Sequence, residues 1–265
     1  MSRTIHGIAY NPLNDEILVP NPLAKAVLVF GGKDSGDIPP RRMIQGAKTQ
    51  LVFPHSISFD AHNKEILVAD PGGRKILVFP WNAYGDVAPL RVIEGPLTKL
   101  GWVTGAAVDP VRNLLVTSSV AYGGETGLFI FNRMDQGNVA PRASIAGPKT
   151  GIQSYPWQVE VYQDKIFAAI SNIFYYPPYD GDKLRAGVNT KAELETVWKT
   201  DVAGFIGVWN ISDDGDVAPQ AVIKGPQTGL IHPSCVALDI PHREIITTDG
   251  SQNGAFTFSV PELFR

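Results

Sequence analysis

An all-β fold of four-stranded antiparallel blades, repeated and closed as a propeller, is predicted for this 265-residue chain by three observations. A strand-opening register that begins at His6 begins again at His55, Thr104, Trp157 and Ser234. A turn of Gly-Asp/Asn-Val/Ile-Ala/Pro-Pro type recurs around Asp37, Asp86, Asn138 and Asp216. The spacing of the early copies, about 50 residues, is that of a propeller blade.

The second copy shows the elements most plainly. Residues 55–59 read as a first strand, 60–64 as a turn, 65–69 as a second strand, 70–74 as a tight loop and 75–79 as a third. After the hairpin at Gly85 and Asp86, residues 90–94 give a fourth strand, which Gly95-Pro96 ends because proline cannot donate to a ladder. One such meander cannot bury both faces, so copies must stack, and radial stacking protects their edges. First strands alternate a large face (Ile8 and Tyr10, Ile57 and Phe59, Ala106 and Val108, Val159 and Val161, Val236 and Leu238) with a small one (Gly7 and Ala9, Ser56 and Ser58, Gly105 and Ala107, Cys235 and Ala237). In the fourth copy the small face carries Gln158 and Glu160 instead.

That copy also holds an insertion at about residues 173–203, beginning with Phe174, Tyr175, Tyr176 and Tyr179. Thr190 and Glu193 have capping-box spacing, and Leu194, Val197 and Trp198 share one helical face, so a short helix is predicted there. The last copy supplies three strands and no fourth, and an open blade edge invites strand donation between molecules. Five copies predict five blades. Met1 stands where the third copy has Ile152, so a further copy upstream, making six, is the alternative.

The chain is read as one domain over 1–265. Its formal net charge of −3 and charged fraction of 18% provide no basic field for nucleic acid. Apolar runs such as 26–30 and 66–69 are too short to insert in a bilayer. The single cysteine, Cys235, rules out an internal disulfide and any cysteine-cluster metal site.

The segments Pro54-His55-Ser56-Ile57-Ser58-Phe59-Asp60, Glu65-Ile66-Leu67-Val68-Ala69-Asp70 and Lys75-Ile76-Leu77-Val78-Phe79 resemble the bacterial NHL-type propeller repeat. The Gly85-Asp86-Val87-Ala88-Pro89 extension is similar to that of a secreted or periplasmic subgroup. The resemblance implies a propeller, more often six-bladed in that family, and a periplasmic or extracellular location. It leaves function open, since such propellers serve as scaffolds, accessory subunits and enzymes.

No phosphate-binding glycine loop, nucleophile elbow or His-Glu-x-x-His motif occurs. His6 and His55 open adjacent first strands and are candidate metal ligands, with His232 nearby in register. Asn21, Asp70, Ser118 and Asp249 end second strands, where side-chain oxygens commonly hold the following loop; the functional reading joins Asp70 and Asp249 to Glu160 as oxygen ligands. Glu160 is the leading catalytic candidate, because a carboxylate on a tightly packed face must be paired, protonated, metal-bound or wetted. Tyr175, Tyr176, Tyr179 and Trp198 are the partner-binding candidates. The leading expectation is a non-enzymatic scaffold that binds a protein or other macromolecule. The alternatives are a lactonase- or esterase-like hydrolase, with a divalent cation held in the channel by His6, His55, Glu160 and Asp249, and a subunit that self-assembles through its incomplete terminal blade.

Overall fold

The computed structural model describes residues 7–171 and 203–265. The fold is the expected all-β propeller of antiparallel blades, five in number, held in two compact units, Met1–Ser144 and Ile145–Arg265. In the first unit, blade 1 comprises β1 (Ala9–Asn11), β2 (Glu16–Asn21), β3 (Ala26–Gly31) and β4 (Arg42–Gln45). Blade 2 comprises β5 (Ser56–Asp60), β6 (Glu65–Asp70), β7 (Lys75–Pro80) and β8 (Arg91–Glu94). Blade 3 comprises β9 (Trp102–Asp109), β10 (Leu114–Val120), β11 (Gly127–Asn132) and β12 (Ala143–Ile145), where the division between units falls. The second unit holds blade 4, with β13 (Tyr155–Tyr162), β14 (Lys165–Ser171), β15 (Phe205–Asn210) and β16 (Ala221–Ile223). Blade 5 has three strands, β17 (Ala237–Asp239), β18 (Glu244–Asp249) and β19 (Gly254–Ser259). The helix predicted between β14 and β15 lies outside the described residues.

In blades 1, 2, 3 and 5 the side chain that ends the first strand, Asn11, Asp60, Asp109 or Asp239, holds the turn that follows. The Asp60 carboxylate accepts the N–H groups of His62 and Asn63, and Asp109 does the same for Val111 and Arg112. This is the local side-chain bonding that makes Asp a turn former.

Packing follows the large and small faces. In the first unit the face of blade 2 carrying Ile57, Ile66, Val68, Leu77 and Phe79 meets Leu18, Val27, Val29 and Ile44 of blade 1. Its opposite face, with Leu67, Ala69, Ile76, Val78 and Ile93, meets Ala106, Leu115, Phe129 and Phe131 of blade 3. In the second unit Phe167, Ile206 and Val208 of blade 4 pack with Val236 and Ile245 of blade 5 and with Phe264 near the chain end. Burial of each such side chain contributes about 1.5–3 kcal/mol before entropy is counted, so this alternation is the main source of stability.

Two features go beyond the sequence reading. The Gly-Pro steps that end fourth strands, Gly46-Ala47 in blade 1, continue into single 3-10 turns, Ala47–Thr49, Pro96–Thr98, Pro148–Thr150 and Pro226–Thr228. Within each, a threonine hydroxyl donates to the preceding glycine carbonyl and accepts an N–H two residues on, as Thr98 does with Gly95 and Leu100. The recurrent Gly-Asp turns then reach back onto these 3-10 turns. Gly85 donates its N–H to the Met43 carbonyl and accepts from the Gln45 N–H, while the Asp86 carboxylate accepts the Lys48 N–H at 2.6 Å. Gly137 and Asn138 repeat this against Val92, Glu94 and Leu97. In the second unit Asp216 accepts from Lys149 at 2.6 Å. What the sequence suggests as turn chemistry is thus a staple to the preceding repeat.

The second feature is a buried ionic cluster in the first unit. Both oxygens of Glu65 are paired with Arg91, at 2.8 and 2.7 Å, and one also accepts from Arg133 at 2.9 Å. Desolvation pushes this carboxyl upward, but the two guanidinium groups together outweigh it and hold it below its ordinary value of 4.5. Glu65 therefore stabilises the unit above about pH 4.5, and that contribution is lost as pH falls through the lowered native value. Glu65→Gln is expected to cost about 3 kcal/mol, because it leaves the buried Arg91 guanidinium and the half-buried Arg133 one without a counter-charge. Urea unfolding followed by circular dichroism measures the loss, and the variant's stability should depend less on pH on the acid side.

Candidate functional site

The residues that open the first strands are anchored through their backbones. The His55 N–H donates to the Ala69 carbonyl at 2.9 Å and the Ser234 N–H to that of Thr248 at 2.9 Å, while the Thr104 hydroxyl donates to the Ser118 hydroxyl at 3.0 Å. His55 is buried and meets Trp102 edge-on at 6.3 Å between ring centroids. Trp102 also contacts Phe53 at 5.7 Å and the exposed Tyr122 at 6.3 Å. The second unit repeats the theme, with Trp157 stacked on Tyr155 at 5.5 Å and tilted against His232 at 5.9 Å. Each unit thus gathers aromatic rings beside its first-strand starts. His6, Tyr175, Tyr176, Tyr179 and Trp198 lie outside the described residues.

The cluster around Trp102 was not found from sequence. Trp102 sits two positions before the strand-opening Thr104, and β9 pairs with β10 through a register shift between Ser118 and Ser119. The same shift explains a second difference. Ser119, not Ser118, supplies the hydroxyl that ties the loop before the strand, accepting the Gly101 N–H at 2.8 Å.

The carboxylates ending second strands do more than hold the loop that follows. Asp70 accepts from Gly73 in that loop and from Val52 and Phe53, which precede its first strand. Asp249 accepts four backbone N–H groups, from Ile231 and His232 on one oxygen and from Ser251 and Gln252 on the other. A carboxylate so occupied is a clamp between two loops and has little left to offer a cation. Asn21 holds only its following loop, through the Ala24 N–H. Among the described residues no group of three or more His, Cys, Asp or Glu side chains is placed to hold a metal ion.

Glu160 departs from this pattern. It lies on β13 opposite Phe167, and its carboxyl makes no hydrogen bond or ion pair among the described residues. Although it retains some contact with solvent, its surroundings strip water from the carboxyl and push its pKa up to about 7. A carboxyl so raised is partly protonated at neutral pH. The first unit also contains a cavity of about 310 Å³ with a mixed-charge lining that includes Arg74, Glu94 and Lys99. Arg74 there donates to the Gly123 carbonyl at 3.2 Å and Lys99 pairs with Glu125 at 3.3 Å.

No family model matches the chain. No curated protein matches it either. Among solved structures it is similar to the hydrazine synthase of Kuenenia stuttgartiensis, with a TM-score of 0.58 and 10% identity over 93% of this chain and 55% of that one. The chain therefore spans about half the length of that neighbour, and the likeness is one of fold.

The raised pKa of Glu160 has a definite sign. The native carboxyl binds protons that the unfolded chain releases above its ordinary value of 4.5, so stability falls as pH rises from about 4.5 through 7. Glu160→Gln is expected to abolish this fall and to stabilise the protein by roughly 2–3 kcal/mol above pH 8, as measured by chemical unfolding across a pH series. Equal pH dependence in the two proteins would show that Glu160 is charged in the native state.

Proposed function

We propose that the protein is a binding scaffold, an NHL-type propeller acting outside the cytoplasm that docks another protein through a sheet face. The observation that carries this reading is the large face of blade 1. Tyr10, Ile17 and Phe30 form one cross-strand row, and Val19, Leu28 and Met43 the next. Their blade 2 counterparts Ile66, Val68, Leu77 and Phe79 are all at 0% exposure, whereas Ile17, Val19, Leu28 and Phe30 are half-buried and Ile8, Tyr10 and Met43 at the margins of the face are 64%, 55% and 41% exposed. A face with the composition of a core that is left partly uncovered is a common mark of a protein contact. By contrast, Asp70 and Asp249 are occupied in holding loops.

A second reading is supported by the raised pKa of Glu160. In it, that carboxyl serves a hydrolase of the lactonase or esterase kind, and a divalent cation is held with His6 and His55. Elemental analysis of the purified protein tests it, since a stoichiometric metal is required.

For the scaffold reading, the doubly substituted Ile8→Glu, Met43→Glu protein should remain folded and lose at least tenfold of a partner that co-purifies with the unaltered protein from native extracts. A partner retained by the variant, or none with either protein, overturns the assignment to this face.

A further inference from the structure

Blade 5 is a three-stranded sheet, and among the described residues nothing pairs with the outer edge of β19. In the other blades that edge receives a fourth strand in a constant way. The first bond runs from Arg41 to the Val29 carbonyl, from Leu90 to Val78, from Arg142 to Ile130 and from Gln220 to Val208, at 2.7 to 2.8 Å. By register the equivalent acceptor in blade 5 is the carbonyl of Thr257, whose side chain is exposed between exposed Ala255 and Ser259. Three of the four completed edges also receive a buried isoleucine, Ile44 and Ile145 at 0% and Ile93 at 1% exposure, while Ile223 of blade 4 is half-buried.

A second open position lies in the same unit. The 3-10 turn Pro226–Thr228 of blade 4 matches the turns that receive Asp86, Asn138 and Asp216. In those three, a Cβ on the leading glycine, Gly46, Gly95 or Gly147, would strike the incoming Asp or Asn; around Gly225 nothing described lies within 4 Å. The Gln227 N–H, the counterpart of the Lys48, Leu97 and Lys149 donors, meets no acceptor among the described residues. Gly225 keeps the φ of 111° that opens this space, a conformation that costs a non-glycine residue dearly.

The two positions belong to one ligand. In repeats 2, 3 and 4 the Gly-Asp or Gly-Asn turn that staples onto the preceding repeat leads, within a few residues, into the fourth strand of its own blade. A single extended segment can therefore cap the Pro226–Thr228 turn of blade 4 and then complete blade 5. We propose that the second unit captures in trans an extended segment of another protein, one bearing a Gly-Asp turn, a Pro about three residues later and an isoleucine about four residues beyond that. Backbone pairing along β19 gives it affinity, the Gln227 N–H selects the Asp, and the isoleucine, opposite Ala255 by register, covers the exposed face that Ala255 shares with Ile246, as in other modes of strand addition. This rests on the scaffold reading and specifies one kind of partner for it, at a site other than the blade 1 face.

The test uses the full chain and a labelled peptide with the sequence of residues 85–95, Gly85 to Gly95, followed by fluorescence anisotropy. Saturable one-to-one binding is expected. Asp86→Ala in the peptide should weaken it at least tenfold, and Ile93→Asp should abolish it. In the chain, Thr257→Pro removes an outward N–H from the edge strand and should also abolish binding; if that variant does not fold, the peptide variants decide alone. Absence of saturable binding, or equal binding by the Asp86→Ala and Ile93→Asp peptides, overturns the proposal. Dimers of the chain that the peptide disperses would assign the donor to a second copy and overturn a foreign one. Peptide failure alongside a partner lost from the Ile8→Glu, Met43→Glu variant would leave the scaffold reading standing without this site.

Discussion

A four-stranded antiparallel sheet with apolar residues on both faces must be covered twice, and this requirement governs the molecule. Blade 2 meets it fully, with Phe79 sealed against blade 1 and Ile76 against blade 3. Hydrogen bonds and ion pairs then refine the arrangement. The Glu65 cluster places three charges where they satisfy one another, and the Asp turns close the outer rim. Neither would form if the sheet faces did not first bring the blades together.

The polar residues divide by the same logic. Where a carboxylate lies at a strand end, backbone N–H groups surround it, and Asp70 and Asp249 become loop clamps. Glu160 lies in mid-strand, where the neighbouring N–H groups are already committed to the ladder, so the carboxyl finds no donor and its charge is disfavoured. Position along the strand, more than residue type, separates a structural acid from one poised near neutral pH.

This division also explains what could be read from the chain alone. Blade boundaries and face assignments were legible because Ile57 and Phe59, or Ile66 and Val68, alternate with the period of the pleat. Glu160 was legible as an interruption of that alternation. The role of Asp86 was not, since its partner Lys48 lies 38 residues earlier and nothing local distinguishes a staple from a turn. The Trp102 cluster was hidden by the register shift between Ser118 and Ser119, which displaces the ring from the position that repeat alignment assigns. The exposure of Tyr10 was equally beyond alignment, because blade 1 and blade 2 have the same apolar pattern there and differ only in what covers it.

The staples point one way along the chain, each turn gripping the repeat before it, over separations of 38, 41 and 67 residues. During synthesis, at about 5–20 residues per second, the rim of a newly emerged blade therefore stays unsealed for seconds until its successor leaves the ribosome. The longest wait falls between Lys149 and Asp216, because the insertion must be translated first. Of the three stapled blades, the nascent third is consequently exposed for longest to chaperones, proteases and mispairing with neighbouring chains.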